Sequence, residues 1–269
     1  MFYQINGSDY WVEVNGEGVP LVMLHGFTGS TRTWAKVIGA LSELPIQLIT
    51  IDLPGHGRTE YNNQRTLSME NVCKDLKILF EENLKFSSIH LLGYSMGGRT
   101  ALSFASFYPE FVDKLLLESA SPGLRSLEER QERAQKDKSL ATKLEAQGIE
   151  AFIDFWETIP LFDSQRLLPV EIQAAIREER LSQTVDGLSL SLRGMGTGTQ
   201  PSFWEELYTL TIPVQLIVGA WDEKFSAINQ AMKKMLPEAK LHVVKEAGHA
   251  VHVEQPKFFA EIVRQFMLE

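Results

Sequence analysis

Short apolar segments constrain the fold of this chain more than any other feature of its sequence. They lie at residues 19–24, 46–51, 89–92, 112–117, 214–218 and 241–244, and residues 11–14 form a shorter early segment of the same kind. Segments of this length without polar alternation are typical of strands buried on both faces, as in a parallel sheet. Helical spacing of apolar residues lies between them, most clearly at residues 67–84, at 96–108 and at the C-terminus. The alternation predicts an α/β fold, with a mostly parallel sheet and helices on both faces.

One long segment interrupts this alternation. Residues 121–203 contain helical patterns and no convincing strand, and residues 125–147 are rich in Glu, Arg, Lys and Gln. An all-helical insertion between two strands is expected to form a lid over the carboxyl edge of the sheet. We therefore divide the chain into a core domain of residues 1–120 and 204–269 and a helical lid of residues 121–203.

The composition fits one such domain and narrows its partners and compartment. A chain of 269 residues that is 44% hydrophobic can bury a substantial core. Its net charge of −9 argues against nucleic acid as a partner, because a polyanion would be repelled. A single cysteine, Cys73, excludes an intramolecular disulfide and favours a reducing compartment. Since we find neither a signal-peptide pattern nor an apolar run of membrane-spanning length, we expect a cytoplasmic protein without stable membrane insertion. We expect either a monomer or a small homo-oligomer.

The segment Gly93-Tyr94-Ser95-Met96-Gly97 carries the strongest signal for chemistry. It directly follows the apolar segment 89–92 and directly precedes a helical pattern, which is the context that a nucleophile elbow requires. The flanking glycines allow a sharp backbone turn, and the helix N-terminus favours developing negative charge. An ordinary strand-to-helix turn is the alternative, but in this context we expect Ser95 to be catalytic.

A catalytic serine needs a histidine base and an acid that orients it, in the chain order serine, acid, histidine for this type of elbow. Of the six histidines, His249 lies in a loop after the strand 241–244, at the sheet edge where open α/β folds keep their sites. His252, three residues later, is the competing base. Asp222 follows the strand 214–218 in the same way and is the preferred acid, with Glu223 as the weaker candidate.

Two backbone N–H groups are needed to stabilise an oxyanion during such chemistry. We expect one from Met96, the residue after the serine, and the other from Phe27, in the loop after the strand 19–24. A simple strand-terminating turn at His25-Gly26 is the alternative interpretation of that loop.

Together these residues resemble the α/β-hydrolase superfamily over nearly the whole chain. The superfamily's motifs match His25-Gly26, Asp52-Leu53-Pro54-Gly55-His56-Gly57, the Ser95 elbow, the Asp222 loop and Gly248-His249. Finer features are similar to the 2-succinyl-6-hydroxy-2,4-cyclohexadiene-1-carboxylate (SHCHC) synthases of menaquinone biosynthesis, namely Arg99 four residues after the serine, Ser121-Pro122-Gly123-Leu124, Phe155-Trp156 and the segment 193–202. The resemblance implies a carbon–oxygen lyase that eliminates pyruvate, with Ser95 acting as a base and with no metal or organic cofactor.

Arginines gather around the predicted site of this acidic chain. Arg99 lies on the first turn of the elbow helix, and the lid contributes three more, Arg130, Arg133 and Arg180. Because a guanidinium pairs with a carboxylate in a bidentate manner, this set favours a small anionic substrate, a polycarboxylate. Pairing with neighbouring glutamates on the surface is the alternative for the lid arginines. We expect Tyr94 and Trp156 to line the same pocket, although either side chain could equally belong to the core.

Two other functions fit the same residues. A serine carboxylesterase or a carbon–carbon bond hydrolase would use the triad through an acyl-enzyme. A noncatalytic receptor for a small ligand could be built on the same scaffold, although a receptor has no reason to keep a complete triad. Because an esterase for neutral substrates has no use for the arginines, the sequence favours the lyase.

Overall fold

One sheet of eight strands runs through the molecule, and the computed structural model describes the whole chain, residues 1–269. The strands are β1 (Phe2–Ile5), β2 (Ser8–Asn15), β3 (Val19–Leu24), β4 (Ile46–Ile51), β5 (Ile89–Tyr94), β6 (Val112–Glu118), β7 (Val214–Gly219) and β8 (Ala239–Val244). Their order across the sheet is β1-β2-β4-β3-β5-β6-β7-β8. Strands β3 to β8 pair in parallel, whereas β1 and β2 form an antiparallel hairpin that joins β4 at one edge. The predicted mostly parallel sheet is therefore confirmed.

Helices cover both faces of the sheet, because successive strand residues point to opposite sides. The core helices are α1 (Ala35–Leu41), α2 (Met69–Ile78) and α3 (Met96–Phe107), followed after the lid by α7 (Glu223–Met235), α8 (Val251–Glu254) and α9 (Pro256–Leu268). In β3, Val22 and Leu24 belong to a core of 35 buried residues that includes side chains of α2 and α3. Leu21 and Met23 belong to a second core of 19 buried residues that includes side chains of α1 and α9. Burial on both faces explains why the strand segments are apolar throughout.

The chain between β6 and β7 is helical and forms no strand. It contains α4 (Leu127–Trp156), a 3-10 segment (Pro160–Leu167), α5 (Val170–Leu181) and α6 (Val185–Met195). Helix α4 packs against both α5 and α6. It is interrupted at Gly148, whose φ of 80° lies in the left-handed region. Glycine suits this position because other residues rarely adopt such a φ, so the long helical pattern is divided into two helices.

The carboxyl ends of β3, β5, β7 and β8 lie along one edge of the sheet, as parallel pairing requires. The loop or turn that follows each strand carries one candidate residue, in this order: Phe27, Ser95, Asp222 and His249. The topology therefore gathers residues that are up to 222 positions apart in the chain. None of the helices is both long enough and apolar enough to cross a membrane.

Candidate active site

Ser95 lies at a sharp turn between β5 and α3, with a φ of 51° and a ψ of −106°. A positive φ is rare outside glycine and costs free energy, so surrounding contacts must hold it. The Ser95 N–H donates to the backbone carbonyl of Glu118, at the end of β6, at 2.8 Å. A side chain at Gly93 or Gly97 would collide with backbone carbonyl groups, those of Gly97 and Leu24 respectively. The elbow therefore depends on close backbone packing that only glycine allows.

The structure brings Ser95, His249 and Asp222 into one hydrogen-bonded chain. Nε2 of His249 lies 2.9 Å from Ser95 Oγ, and Nδ1 lies 2.6 Å from Asp222 Oδ2. His249 and Asp222 are buried, and the second Asp222 oxygen accepts the N–H of Phe225 at 3.0 Å. This arrangement can activate a serine through a histidine base whose charged form the carboxylate orients and stabilises.

The two competing candidates stay outside this hydrogen-bonded chain, although Glu223 also lines the cavity described below. His252 packs against Tyr94, with ring centroids 4.6 Å apart, and its Nδ1 lies 2.8 Å from a carboxylate oxygen of Glu118. Glu223 is exposed at the start of α7. Neither side chain bonds to Ser95.

A cavity of about 930 Å³ opens above the serine, between the sheet edge and the lid. Its wall has 30 residues, of which 14 are hydrophobic, so apolar and polar residues line it in similar numbers. The lid contributes side chains from α4, from the 3-10 segment and from α6. Such a cavity suits one small molecule whose orientation is set by a few polar contacts.

The backbone amides of Phe27 and Met96 are both free of acceptors within the protein. Met96 is the first residue of α3 and has no intrahelical carbonyl to bond, and the Phe27 N–H makes no hydrogen bond. Both residues line the cavity. His25 holds the loop before Phe27, because its Nδ1 donates to the Gly26 carbonyl at 2.8 Å. The two amides can therefore serve as donors to an oxyanion.

Arg99 projects from α3 into the cavity wall and has no carboxylate within ion-pair distance. Its guanidinium donates to the amide oxygen of Gln200 at 3.0 Å and to the carbonyl of Met195 at 2.9 Å, which are both neutral acceptors. Burial lowers the pKa of Arg99 to about 10, against a raising effect of Asp137 and a further lowering effect of Arg133. Since a guanidinium has five N–H donors, several remain for a ligand. Arg99 is therefore a cation prepared for an anionic group.

Arg133 lies nearby on α4 and lines the same cavity. Its Nε donates to Asp137 Oδ1 at 2.7 Å, which leaves the two terminal nitrogens of the guanidinium for other partners. The second oxygen of Asp137 accepts the N–H of Gly198 at 3.3 Å, so this buried carboxylate links α4 to the loop after α6. Arg99, Arg133 and Asp137 together leave this end of the cavity with one net positive charge.

The other two predicted arginines, Arg130 and Arg180, lie outside the cavity wall. Arg180 is buried in the lid, where it donates to Gln165 at 2.9 Å and pairs with Glu157 at 3.3 Å. Burial lowers its pKa, although Tyr94 and Glu157 oppose this effect. Arg130 lies on α4, half-buried, with its Nε shielded from solvent. Contacts within the lid therefore occupy the Arg180 guanidinium, whereas the buried Nε of Arg130 has no hydrogen-bond partner.

The two predicted aromatic residues both line the cavity. The Tyr94 ring lies 5.4 Å from the ring of His249, and burial raises the pKa of its phenol, which therefore stays protonated and can donate a hydrogen bond. Trp156 contacts Phe27 edge to face, with centroids 5.3 Å apart. These rings give the region around the serine an apolar wall.

Residues beyond the sequence prediction also shape the site. Asp137 and Gln200 hold the arginines, and Phe162 of the 3-10 segment packs edge to face on His249 at 6.2 Å. A signal for Asp137 exists, because it follows Arg133 by four positions on a helix, the spacing of a side-chain ion pair. Gln200 has no helical spacing of this kind, and the sequence marks it only as part of the segment 193–202, because its contact with Arg99 spans 101 residues. The structure contains no group of three or more His, Cys, Asp or Glu side chains that could hold a metal ion.

The fold belongs to a known class of proteins. The profile of the alpha/beta hydrolase fold family matches residues 19–256. The chain belongs to the α/β-hydrolase family, which confirms the resemblance seen in the sequence and the predicted fold class.

Close relatives narrow the class further. The SHCHC synthase of Klebsiella pneumoniae is 31% identical over 247 residues, which cover 90% of this chain and 92% of that protein. A Bacillus subtilis (strain 168) protein, which is provisionally named an SHCHC synthase, is 48% identical over 248 residues. These cover 92% of this chain and 89% of that protein. The solved structure of MenH from S. aureus superposes with a TM-score of 0.90 at 37% identity, covering 96% of this chain and 97% of that one. Within the α/β-hydrolase family, the chain therefore belongs to the SHCHC synthases.

Proposed function

We propose that the protein is a carbon–oxygen lyase that eliminates pyruvate from a succinyl-enolpyruvyl-hydroxycyclohexene-carboxylate and yields SHCHC for menaquinone biosynthesis. The carrying observation is that an activated Ser95 and an Arg99 without a carboxylate partner line one cavity. Burying an unpaired guanidinium costs free energy, which an enzyme for neutral esters would not recover on binding. A substrate carboxylate offsets this cost, because it forms a charge-assisted pair with Arg99.

The triad would act here as a base rather than as a nucleophile. Ser95 Oγ takes the proton beside the succinyl ketone while its own proton passes to His249 Nε2, and Asp222 stabilises the resulting imidazolium. The electron pair of the broken C–H bond forms an enolate. The backbone amides of Phe27 and Met96 donate hydrogen bonds to the enolate oxygen. Collapse of the enolate breaks the bond between the ring carbon and the enolpyruvyl oxygen. The electron pair of that bond leaves with the oxygen. A proton returned from His249 completes pyruvate.

Residues 121–203 serve as a lid on the core of residues 1–120 and 204–269, and Arg99, Arg133, Tyr94 and Trp156 contact the substrate. The substrate is a small polycarboxylate. We place the enzyme in the cytoplasm, as a monomer or small homo-oligomer, in accord with its acidic charge and single cysteine.

The elimination is tested directly by supplying the precursor and following pyruvate through lactate dehydrogenase. We expect turnover far above spontaneous decay, and a loss of at least about 1,000-fold in kcat for Ser95→Ala, because the triad acts as a unit. Ser87→Ala, at an exposed serine just before β5, is the matched control and should keep the wild-type rate. Turnover no faster than the spontaneous reaction would contradict the lyase function.

The same preparation separates the lyase from its nearest rival. An acyl-enzyme pathway should release a burst of nitrophenol from a nitrophenyl ester, whereas a serine that acts only as a base should not. A burst combined with no pyruvate release would assign the protein to the serine hydrolases. No turnover of any candidate, with binding retained, would favour a receptor.

A further inference from the structure

The loop that carries His249 is held on both sides by groups outside the triad. Residues 245–250 connect β8 to the short helix α8. On one side, the Trp221 N–H donates to the carbonyl of Ala247 at 2.9 Å, which ties this loop to the one that carries Asp222. The opposite side of the loop presents backbone N–H groups, and these have carboxylate acceptors.

Glu254 supplies the first carboxylate. Its Oε2 accepts the Gly248 N–H at 2.6 Å, and its Oε1 accepts the Ala250 N–H at 3.3 Å. The two amides bracket His249 in the sequence. The carboxylate reaches back from the end of α8 to the residue before its first turn, much as the acidic member of a capping box does.

Glu118 supplies the second carboxylate, from the end of β6. Its Oε1 accepts the backbone N–H of His252 at 3.0 Å, and its Oε2 lies 2.8 Å from Nδ1 of the same residue. The backbone carbonyl of Glu118 also accepts the Ser95 N–H at 2.8 Å. One residue therefore contacts both the serine elbow and the histidine segment.

Both carboxylates are buried at a cost in free energy. Glu118 is fully buried and Glu254 is 8% exposed, and neither pairs with a lysine or an arginine. Burial raises the pKa of Glu254, and Glu118 adds to this, although the amides of Gly248 and Ala250 and the hydroxyl of Ser164 oppose it. A raised pKa means that the folded chain binds the proton more tightly than the unfolded chain, so the ionised Glu254 lowers the free energy of unfolding at neutral pH.

We propose that Glu118 and Glu254 form a carboxylate clamp that positions His249 for proton transfer from Ser95. The clamp is defined by these two side chains and their hydrogen bonds to the amides of Gly248, Ala250 and His252. Neither residue lines the cavity, so both act through the histidine rather than on the substrate. The inference rests on the proposed function only for the role of His249 as base, and it holds for any substrate.

The test reads the activation of Ser95 without a substrate, through its rate of labelling by a fluorophosphonate. Glu254→Gln keeps the shape of the side chain but turns an N–H group toward one of the two amides, and Glu254→Asp is too short to reach both. We expect each variant to label about 10- to 100-fold more slowly, because small misplacements of a catalytic base have effects of this size. His249→Ala sets the rate without a base, and Glu261→Gln, an exposed glutamate on α9, is the matched control.

A second readout separates positioning from stability. Since the buried ionised carboxylate is unfavourable, Glu254→Gln should keep a Tm close to that of the wild type while its labelling slows. In the pyruvate assay, kcat should fall with the labelling rate and KM should stay within about twofold, because the arginines are untouched. Wild-type labelling in either folded variant, or a loss that only follows the unfolded fraction, would overturn the clamp. A slowed label in an enzyme that releases no pyruvate supports the clamp and contradicts the lyase, so the two failures are distinguishable.

Discussion

Arg99 shows how a single residue can prepare the cavity for an anion. Its partners within the protein are two neutral oxygens, and its pKa is lowered to about 10 chiefly by burial. Arginine tolerates this environment because its ordinary pKa is high enough to keep the charge at any physiological pH. The residue type at this position is therefore as important as its charge.

The substitution Arg99→Lys should make the KM for the precursor depend on pH. Lysine has an ordinary pKa of roughly 10.4, well below that of arginine, so burial at this position would bring its pKa toward the physiological range. Burial lowers the pKa of a cation, so the charge is lost as the pH rises through that value. We expect KM for the precursor to rise with increasing pH in Arg99→Lys and to stay level in the wild type, as steady-state kinetics from pH 6 to 9 would show.

Arg99→Ala provides the reference for this experiment. It lacks the cation at every pH, so kcat/KM should be lowered about 10- to 100-fold throughout, the effect of losing one charge-assisted hydrogen-bonded contact. Parallel pH profiles for the lysine variant and the wild type would show that Arg99 does not meet the substrate's negative charge.

Residues of the site differ in how far they can be predicted from the sequence. Ser95, Asp222 and His249 each directly follow a strand, and their order along the chain suffices to predict that they meet. Arg180 and Glu254 could not be placed in this way. The first turns away from the cavity because Gln165 and Glu157 lie within its reach in the folded lid, and the second depends on how a one-turn helix folds back on the loop before it.

At the scale of the element, the strands were predicted well because burial on both faces leaves an uninterrupted apolar segment. Predicted and observed limits coincide for β3 and β4. β1 lies outside the prediction, because an edge hairpin is half exposed and its residues are mixed. Its signal is the turn Asn6-Gly7, in which both residues have a positive φ, a pairing typical of tight hairpins.

Close packing around the turn between β5 and α3 predicts that alanine lowers the free energy of unfolding at Gly97 but not at Gly39 of α1. A Cβ at Gly97 would overlap the backbone carbonyls of Leu24 and His25, which cannot move without displacing β3. Gly97→Ala should therefore lower the free energy of unfolding by about 2 to 5 kcal/mol, measured by urea denaturation. Gly39→Ala, within α1, meets no atom within 4 Å and should raise it by up to about 1 kcal/mol. Equal effects of the two substitutions would show that the close approach does not constrain the elbow.

At the scale of the whole molecule, the lid is joined to the core by a small set of polar contacts remote from the triad. Glu179 of α5 uses one oxygen, Oε1, to accept three hydrogen bonds from the core, those of the Ser30 N–H at 3.0 Å, the Ser30 hydroxyl at 2.7 Å and the Thr33 hydroxyl at 2.9 Å. Its neighbour Glu178 pairs with Arg32, but both of those side chains are more than half exposed. The adjacent glutamates thus form a partly buried and an exposed version of the same connection.

This pair allows the lid's attachment to be tested apart from the chemistry. Glu179→Ala removes the shared acceptor of three hydrogen bonds and should lower the free energy of unfolding by about 1 to 3 kcal/mol, speed tryptic cleavage within α4 and raise KM. Glu178→Ala removes only an exposed ion pair and should change stability by less than about 1 kcal/mol. Fluorophosphonate labelling of Ser95 should stay at the wild-type rate in both variants, because no triad residue or clamp residue contacts these glutamates. If α4 is cleaved equally fast in the two variants, Glu179 does not hold the lid, and the closed arrangement must depend on the apolar contacts between α4 and α6 and on the core beneath them.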